Sequence, residues 1–477
     1  MKILSEEEFA KRTAGGHATA VFKEFLADRE TPVAALSRLD DSEDAILFES
    51  VVGAETRGRY SFLIIEPYGK LDGCDALEKV KSFINELNFA PASELPSFQG
   101  GCAGYVPYDS AGIFEPKTGI PQGNGAQQMA FLVCKKFLIF DNVRSTVTIA
   151  VVEKNSEQGA YSNAMKEIDR LYDKLLSAQS IAKAVAREKA SPSDDANQAE
   201  DGNFTSEMTK DEFCSMVAKC KKAIAAGEVI QIVPSQKFTA STRASGISIY
   251  RALRTINPSP YNFFMRIGSK TLIGSSPEEL VKLSGRTAST SPIAGTRPRG
   301  LTAIEDQALE RELRNDVKEN AEHVMLVDLG RNDIGRVAET GSVKVESYAN
   351  IEKFSHVMHL VSSVKGTLAS EHDACDLLKA VFPAGTLTGA PKVRAMQLIS
   401  EFEKSPRGIY GGAAGYFSFT GDMDFAIVIR TLVKEGNKLT MRAGAGIVAD
   451  SVPEKEYEET VNKSKAVFEA VKFAESL

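Results

Sequence analysis

The sequence is first narrowed by what it lacks. It has no GxGxxG or GxxxxGK[ST] loop, so dinucleotide and P-loop nucleotide binding have no motif to rest on. No GxSxG elbow marks a hydrolase nucleophile. Cys74, Cys102, Cys134, Cys214, Cys220 and Cys375 are scattered without a CxxC pair, which removes a zinc ribbon and leaves reduced structural thiols. Of the five histidines, His356 and His359 form an i, i+3 pair in "FSHVMHLVSSV" with no second metal motif beside them; general acid/base work suits one of them better than zinc. The net charge is −7 and no broad Lys/Arg stripe appears, which argues against a nucleic-acid partner. No stretch is long enough to span a membrane, and "MKILSEEEFAKR" puts acids straight after three apolar residues, leaving no signal peptide. The expectation is a cytoplasmic protein, free of membrane, whose anionic ligands are small and locally held.

What is present is ordinary for a globular chain: 477 residues, 43% hydrophobic and 25% charged, enough to bury a large core. Short apolar runs such as "DAILFESVV" and "GRYSFLII" predict strands, and "MAFLVCKKFLIFDNVRSTVTIAVV" predicts two strands joined at Asp141-Asn142. Residues 161–189 read as a helix. The polar, aperiodic stretch after them predicts a linker over 190–208, dividing 1–189 from 209–477. Beyond it, Thr209 and Glu212 form a capping box for a helix that Gly227 ends. "VIQIVPSQKFTA", "TLIGSSPEELVKLSG" and "FAIVIRTLV" then read as strands among helices. The fold class is α+β.

Two acidic pairs carry the first chemical question. Thr302 and Glu305 predict a capped helix with an apolar stripe at Leu309, Leu313, Val317, Ala321 and Val324; Glu319 and Glu322 lie opposite it. Ser451 and Glu454 predict another capping box, for a last helix buried along Tyr457, Val461, Ser464, Phe468 and Val471, with Glu456 and Glu459 off the stripe. Each pair alone reads as a solvated face. Together they could offer hard oxygen ligands to Mg²⁺, but periodicity does not show that they meet. Small-residue runs in "MRAGAGIVAD", "FPAGTLTGAPKVRAM" and "YGGAAGYFSF" let backbone N–H groups approach an anion, though a tight turn explains the same letters. They recur beside Lys392, Arg394, Tyr410 and Arg430, which points to a small substrate with more than one carboxylate.

The motifs "IQIVPSQKF", "NPSPYNFFMRI", "IGSSPEELVKL", "SPIAGTRPRG", "DVKENAEHVMLVDLGRNDIGRV", "FSHVMHLVSSVKG", "PAGTLTGAPKVRAMQLI", "YGGAAGY", "IVIRT", "AGAGIVADSVPEKEYEET" and "NKSKA" closely resemble those of the chorismate-using enzymes, in order over about residues 228 to 466. "LFESVVGAETRGRYSFL" further resembles the large subunits of anthranilate synthases. The resemblance implies two antiparallel sheets packed between helix layers, an α/β sandwich, and chorismate bound with Mg²⁺. It implies Glu322 and Glu459 as the more direct metal ligands, with Glu319 and Glu456 nearby, some through water. Gly295 and Thr296 would meet the ring carboxylate; Arg430, Tyr410, Gly444 and Gly446 would hold the enolpyruvyl carboxylate. Glu278 would protonate the leaving hydroxyl, His359 assist pyruvate loss, and Thr386 contact the ring. A tryptophan inhibitor site would involve Glu49, Ser50, Asn257, Pro258, Ser259, Tyr261 and Asn262, the last a departure from the methionine of many relatives.

Two positions discriminate within that family. Gln231 stands where isochorismate and salicylate synthases carry a lysine that activates water. Ala294 stands where aminodeoxychorismate synthases usually carry a lysine that bonds to the ring, a nucleophilic role alanine lacks. Both point to ammonia attacking directly, and so to an anthranilate synthase that makes anthranilate and pyruvate. No amidotransferase portion is visible, so a separate glutamine amidotransferase subunit is the expected ammonia source. The alternatives are an aminodeoxychorismate synthase and a non-catalytic tryptophan-binding relative. Arg297 and Arg299, prominent in "TSPIAGTRPRG", receive no direct role.

Overall fold

The structure, a computed structural model, describes residues 1–50, 58–121, 125, 128–155, 158–176, 203–353 and 357–476. Two large antiparallel sheets dominate it. The first runs in the order Ala18–Leu26, Thr146–Lys154, Lys136–Asp141, Tyr60–Ile65, Ala45–Glu49, Tyr261–Ile267, Lys270–Ser276, Thr431–Glu435, Lys438–Gly444, Ser235–Ser241, Thr205–Ser206. The second runs Ile293–Pro298, Val357–Thr367, Thr287–Thr290, Glu279–Ser284, Met423–Ile427, Ala413–Ser418, Gly101–Val106, Met129–Cys134, Gly69–Gly73, with Lys344–Lys353 paired to Val357–Thr367. The main apolar cluster joins Leu47 and Phe62 of the first sheet to Ala103, Tyr105 and Tyr416 of the second, which is the filling of a sandwich. The α+β expectation holds. Both sheets mix strands from before and after the expected 190–208 linker. Most of that linker, and the end of the 161–189 helix, lies outside the described residues; Ala160–Leu175 is helical, and Thr205–Ser206 is an edge strand.

The chain passes between the sheets twice at the same place. Lys270–Ser276 belongs to the first sheet and Glu279–Ser284 to the second, with Pro277 and Glu278 between them. Proline has no N–H for a ladder, so the strand breaks there. Met423–Ile427 and Thr431–Glu435 make the reverse passage, with Arg430 in a left-handed conformation at φ 50°. The crossings are stitched together: Ile427 N donates to Glu278 O at 3.0 Å and Ser275 N to Arg430 O at 3.2 Å. Similarly, "MAFLVCKKFLIF" forms two strands, one per sheet, rather than the single strand expected before the Asp141 turn.

Local capping was legible, with one exception. Thr209/Glu212 and Thr302/Glu305 form complete capping boxes. The last helix, Pro453–Glu475, instead begins after Val452 without a side-chain cap, because Ser451 Oγ accepts from Val448 N. The helix after Thr302 also ends early, at Asn315, and Asp316 caps a second helix, Val317–Gly335, by accepting from Lys318 N and Glu319 N. That break overturns the expected stripe: Leu313 is buried, but Val317, Ala321 and Val324 face solvent, and His323, Leu326 and Val327 are buried instead. Glu319 and Glu322, placed opposite the stripe, therefore turn inward.

Candidate active site

Glu278 sits in the passage between the sheets. The residue retains partial exposure, yet burial of its carboxyl pushes the pKa up to about 7, with the Thr386 hydroxyl and the Lys463 charge opposing. Thr386 Oγ1 donates to Glu278 Oε1 at 2.9 Å. Thr386 lies in the short helix Gly385–Thr388, followed directly by Gly389–Ala390, which pairs with Gln231–Ile232. Gln231 is thereby tied to the segment that positions Glu278's partner.

Gly295, Thr296 and His359 form a second group. Gly295 is a bulge in the pairing of Ile293–Pro298 with Val357–Thr367, at φ 64°, and a Cβ there would lie 2.7 Å from Leu313 and 3.4 Å from Glu319 Oε2. His359 Nδ1 stands 2.9 Å from Gly295 O and 3.1 Å from Thr296 Oγ1. Because a carbonyl only accepts, Nδ1 carries the hydrogen and Nε2 is the basic nitrogen. Burial lowers the His359 pKa. Arg297 and Arg299 are spent on the neighbouring helices: Arg297 pairs with Glu312 at 2.8 Å, Asp316 at 2.7 Å and Glu319 at 3.5 Å, and Arg299 with Asp306 at 2.8 Å. Ala294 is buried and brings no functional group. His356 lies outside the described residues.

The two acidic pairs do approach one another. Burial raises the pKa of Glu322, and the charges of Glu319 and Glu459 add to the shift. Burial likewise raises that of Glu456, with Glu459 adding to it. Among the described residues no group of three or more His, Cys, Asp or Glu is already closed into a metal cage. Even so, the donor set is all carboxylate oxygen and mutually repelling, which suits a hard divalent cation and would be relieved by one. Lys463, which no sequence pattern singles out, pairs with Glu459 at 2.7 Å and donates to Gly444 O at 3.0 Å. "NKSKA" was visible, but the i, i+4 spacing from Glu459 was the only local signal of that contact.

Tyr410 stands against Gly444, with Arg430 close enough to feel the Tyr410 charge. Burial lowers the Arg430 pKa and raises that of Tyr410 to about 12, each opposed or offset by nearby charge. A Cβ on Gly444 would come 2.7 Å from Pro234 O and 2.8 Å from Tyr410 Oη; one on Gly446 would come 2.8 Å from Gln231 Nε2. Gly444→Ala is accordingly expected to cost about 1–3 kcal/mol through overpacking, read as a lower urea midpoint at unchanged m-value. An unshifted midpoint would mean the loop is not that tight. Arg407, also missed, stacks 5.6 Å from the Tyr410 ring and donates to Leu387 O and Val233 O while paired to Glu403 at 2.6 Å, so it braces several walls at once.

The expected tryptophan-site residues cluster around adjacent strands. Glu49 and Asn262 are direct partners across the Ala45–Glu49/Tyr261–Ile267 pairing. Glu49 is buried, accepts from Tyr250 Oη at 2.6 Å and lies 3.5 Å from Arg254; burial raises its pKa against both. Ser50 follows at the strand end. Asn262 is fully engaged, donating to Ser259 O at 2.8 Å and accepting from Ser275 Oγ at 2.8 Å. Asn257 Nδ2 donates to Ser275 O at 3.2 Å, with Pro258 between it and Ser259. Tyr261 Oη donates to Glu279 at 3.1 Å, next to Glu278.

Residues 43–469 match the family described as chorismate binding enzyme. The chain belongs to the chorismate-binding enzymes. It is 42% identical, over 99% of its length and 98% of the relative's, to anthranilate synthase component 1 of Aquifex aeolicus, and 40% identical over 99% of both chains to that of Pseudomonas putida. Among solved structures, anthranilate synthase component I from Streptococcus pneumoniae superposes with a TM-score of 0.73 at 36% identity, covering 93% of this chain and 99% of that one. The menaquinone-specific isochorismate synthase of Escherichia coli shares the fold, at TM-score 0.72 and 18% identity over 95% of this chain and 94% of that one. Among the described residues of this chorismate-binding enzyme no helix is long and apolar enough to cross a membrane.

Proposed function

We propose that the chain converts chorismate and ammonia to anthranilate and pyruvate as the large component of a cytoplasmic anthranilate synthase, the entry step to tryptophan. The observation that carries this reading is Ala294 beside the bulge at Gly295. Where a lysine could bond to the ring the loop has only a methyl group, which leaves ammonia to attack carbon 2 directly. In the first stage the ammonia lone pair bonds to ring carbon 2, the ring double bonds shift, and the bond from carbon 4 to its hydroxyl breaks. Hydroxide leaves poorly, so Glu278 gives it a proton and it departs as water. Thr386 holds that carboxyl at the ring. In the second stage His359, through Nε2, takes the proton from carbon 2 as the bond from carbon 3 to the enolpyruvyl oxygen breaks and the ring becomes aromatic.

The dicarboxylate is held at both ends. Arg430, Tyr410 and the backbone around Gly444 and Gly446 take the enolpyruvyl carboxylate; Gly295 and Thr296 face the ring carboxylate. Glu322 and Glu459, with Glu319 and Glu456 beside them, hold Mg²⁺, which when bound supplies positive charge to the ring carboxylate. Glu459→Ala should raise the Mg²⁺ needed for half-maximal activity at least about ten-fold; an unchanged metal titration would remove this ligand. Residues 1–189 carry tryptophan-site elements around Glu49 and Ser50, and 209–477 the catalytic groups. A glutamine amidotransferase subunit supplies ammonia, and tryptophan bound near Glu49 and Asn262 inhibits.

Incubation with chorismate, Mg²⁺ and ammonium salt tests the reading, with fluorescent anthranilate expected. A stable 4-amino product would favour aminodeoxychorismate synthesis, and tryptophan binding without any turnover a non-catalytic relative.

A further inference from the structure

His323 is fully buried on the helix Val317–Gly335, next to Glu322 and about one turn from Glu319. Its Nε2 lies 2.6 Å from Ser362 Oγ, a hydroxyl of an equally buried residue. That hydroxyl also accepts from Ala349 N at 2.9 Å, where the backbone is left-handed at φ 50° and the pairing of Lys344–Lys353 with Val357–Thr367 slips register. One oxygen therefore joins the helix to both strands. The other ring nitrogen, Nδ1, is buried with no hydrogen-bond partner among the described residues. Burying a polar atom unpaired costs stability, and such an atom calls for an explanation. A leucine at 323 would fill the space without that cost, so packing does not account for a histidine here. A directional contact does.

What the contact fixes follows from the two elements it joins. The helix carries Glu319 and Glu322; the strand Val357–Thr367 carries His359, three residues before Ser362, and pairs with Ile293–Pro298, which holds Gly295 and Thr296. Ser362 N also donates to Pro292 O at 3.1 Å, at the start of that loop. Elsewhere the helix rests on the sheet through Val327 and Ile334, which share an apolar cluster with Val364. Apolar contacts resist separation but have no direction, whereas a hydrogen bond of 2.6 Å has one. The pairs from Arg297 to Asp316 and Glu319 hold only the start of the helix. We propose that His323, acting through Ser362, is a positioning residue: it sets where the helix's two carboxylates stand relative to the strand of His359 and the loop at the ring carboxylate. The inference rests on the metal reading given above, because carboxylates that share one cation must be placed to within a fraction of an ångström.

His323→Leu removes the contact and the unpaired nitrogen together, whereas His323→Gln keeps a polar group that can reach Ser362 Oγ. Mn²⁺, which shares the preference of Mg²⁺ for carboxylate oxygen, is the probe. Its binding is followed by electron paramagnetic resonance with chorismate present and ammonium withheld, so that no amination intervenes. His323→Leu should weaken Mn²⁺ binding about ten-fold, the lower end for a group that orients metal ligands, while the melting temperature holds or rises. His323→Gln should restore most of the binding. Ser362→Ala should match His323→Leu, and the double variant should bind no more weakly than either, since all three lose one and the same contact. Unchanged Mn²⁺ binding in His323→Leu, a loss that only tracks the melting temperature, or additive losses in the double variant would overturn the proposal and leave His323 a core residue. Glu459→Ala keeps the two readings apart: if that variant binds Mn²⁺ as wild type does, the metal reading itself fails.

Discussion

Glu278→Gln is expected to lower kcat by about 10²–10⁴-fold, the usual contribution of a positioned acid, while chorismate still binds. Glutamine keeps the shape and can still accept from Thr386 Oγ1, now 2.9 Å from the carboxyl, so the geometry at the crossing of the sheets should survive. What it loses is the acidic proton. The wild-type pH profile should report the same group. Burial holds the Glu278 pKa at about 7, and a general acid works only while protonated, so its limb falls as pH rises through that value. In the glutamine variant this limb should vanish. Near-normal turnover, or an unaltered alkaline limb, would take the acid role away from Glu278.

His359→Met should act later and differently. The first stage needs no base from this residue, so amination should continue while pyruvate loss slows by about 10²-fold or more. The amino intermediate should then accumulate and be separable from anthranilate by chromatography. A base must be unprotonated to work; burial lowers the His359 pKa from 6.5, so its limb falls as pH drops below that value and lies on the acid side of the Glu278 limb. The two groups together predict a bell-shaped rate profile. A weakened His359→Met enzyme that shows no intermediate at any time point would contradict the assignment.

How much of this was written in the sequence depends on range. Capping boxes at Thr209 and Thr302 involve residues three apart, and both formed. The helix after Thr302 misled because its pattern ran through Asp316, where the side chain stops one helix and caps the next. With the register reset, Val317, Ala321 and Val324 became surface, and Glu319 and Glu322 faced in. Periodicity alone had put these carboxylates in solvent, and only the family resemblance placed them in a site. Glu278 was hidden for another reason: it sits where a strand run breaks between two sheets, and strand patterns do not tell which sheet a run joins. Gln231, Lys463 and Arg407 owe their significance to contacts across long stretches of chain, which no local window contains. The paired arginines of "TSPIAGTRPRG", the most conspicuous charges in their loop, turn out to brace Glu312, Asp316, Glu319 and Asp306.

The central claim is that ammonia, and no group on the protein, bonds to ring carbon 2 and that pyruvate then leaves from the same enzyme. Supplying ¹⁵N-ammonium with chorismate and Mg²⁺, and following product by NMR and mass, tests it directly. The account predicts ¹⁵N on the carbon next to the ring carboxyl, with one anthranilate and one pyruvate formed per chorismate consumed. Nitrogen at carbon 4, or an unaminated hydroxylated product, would contradict it.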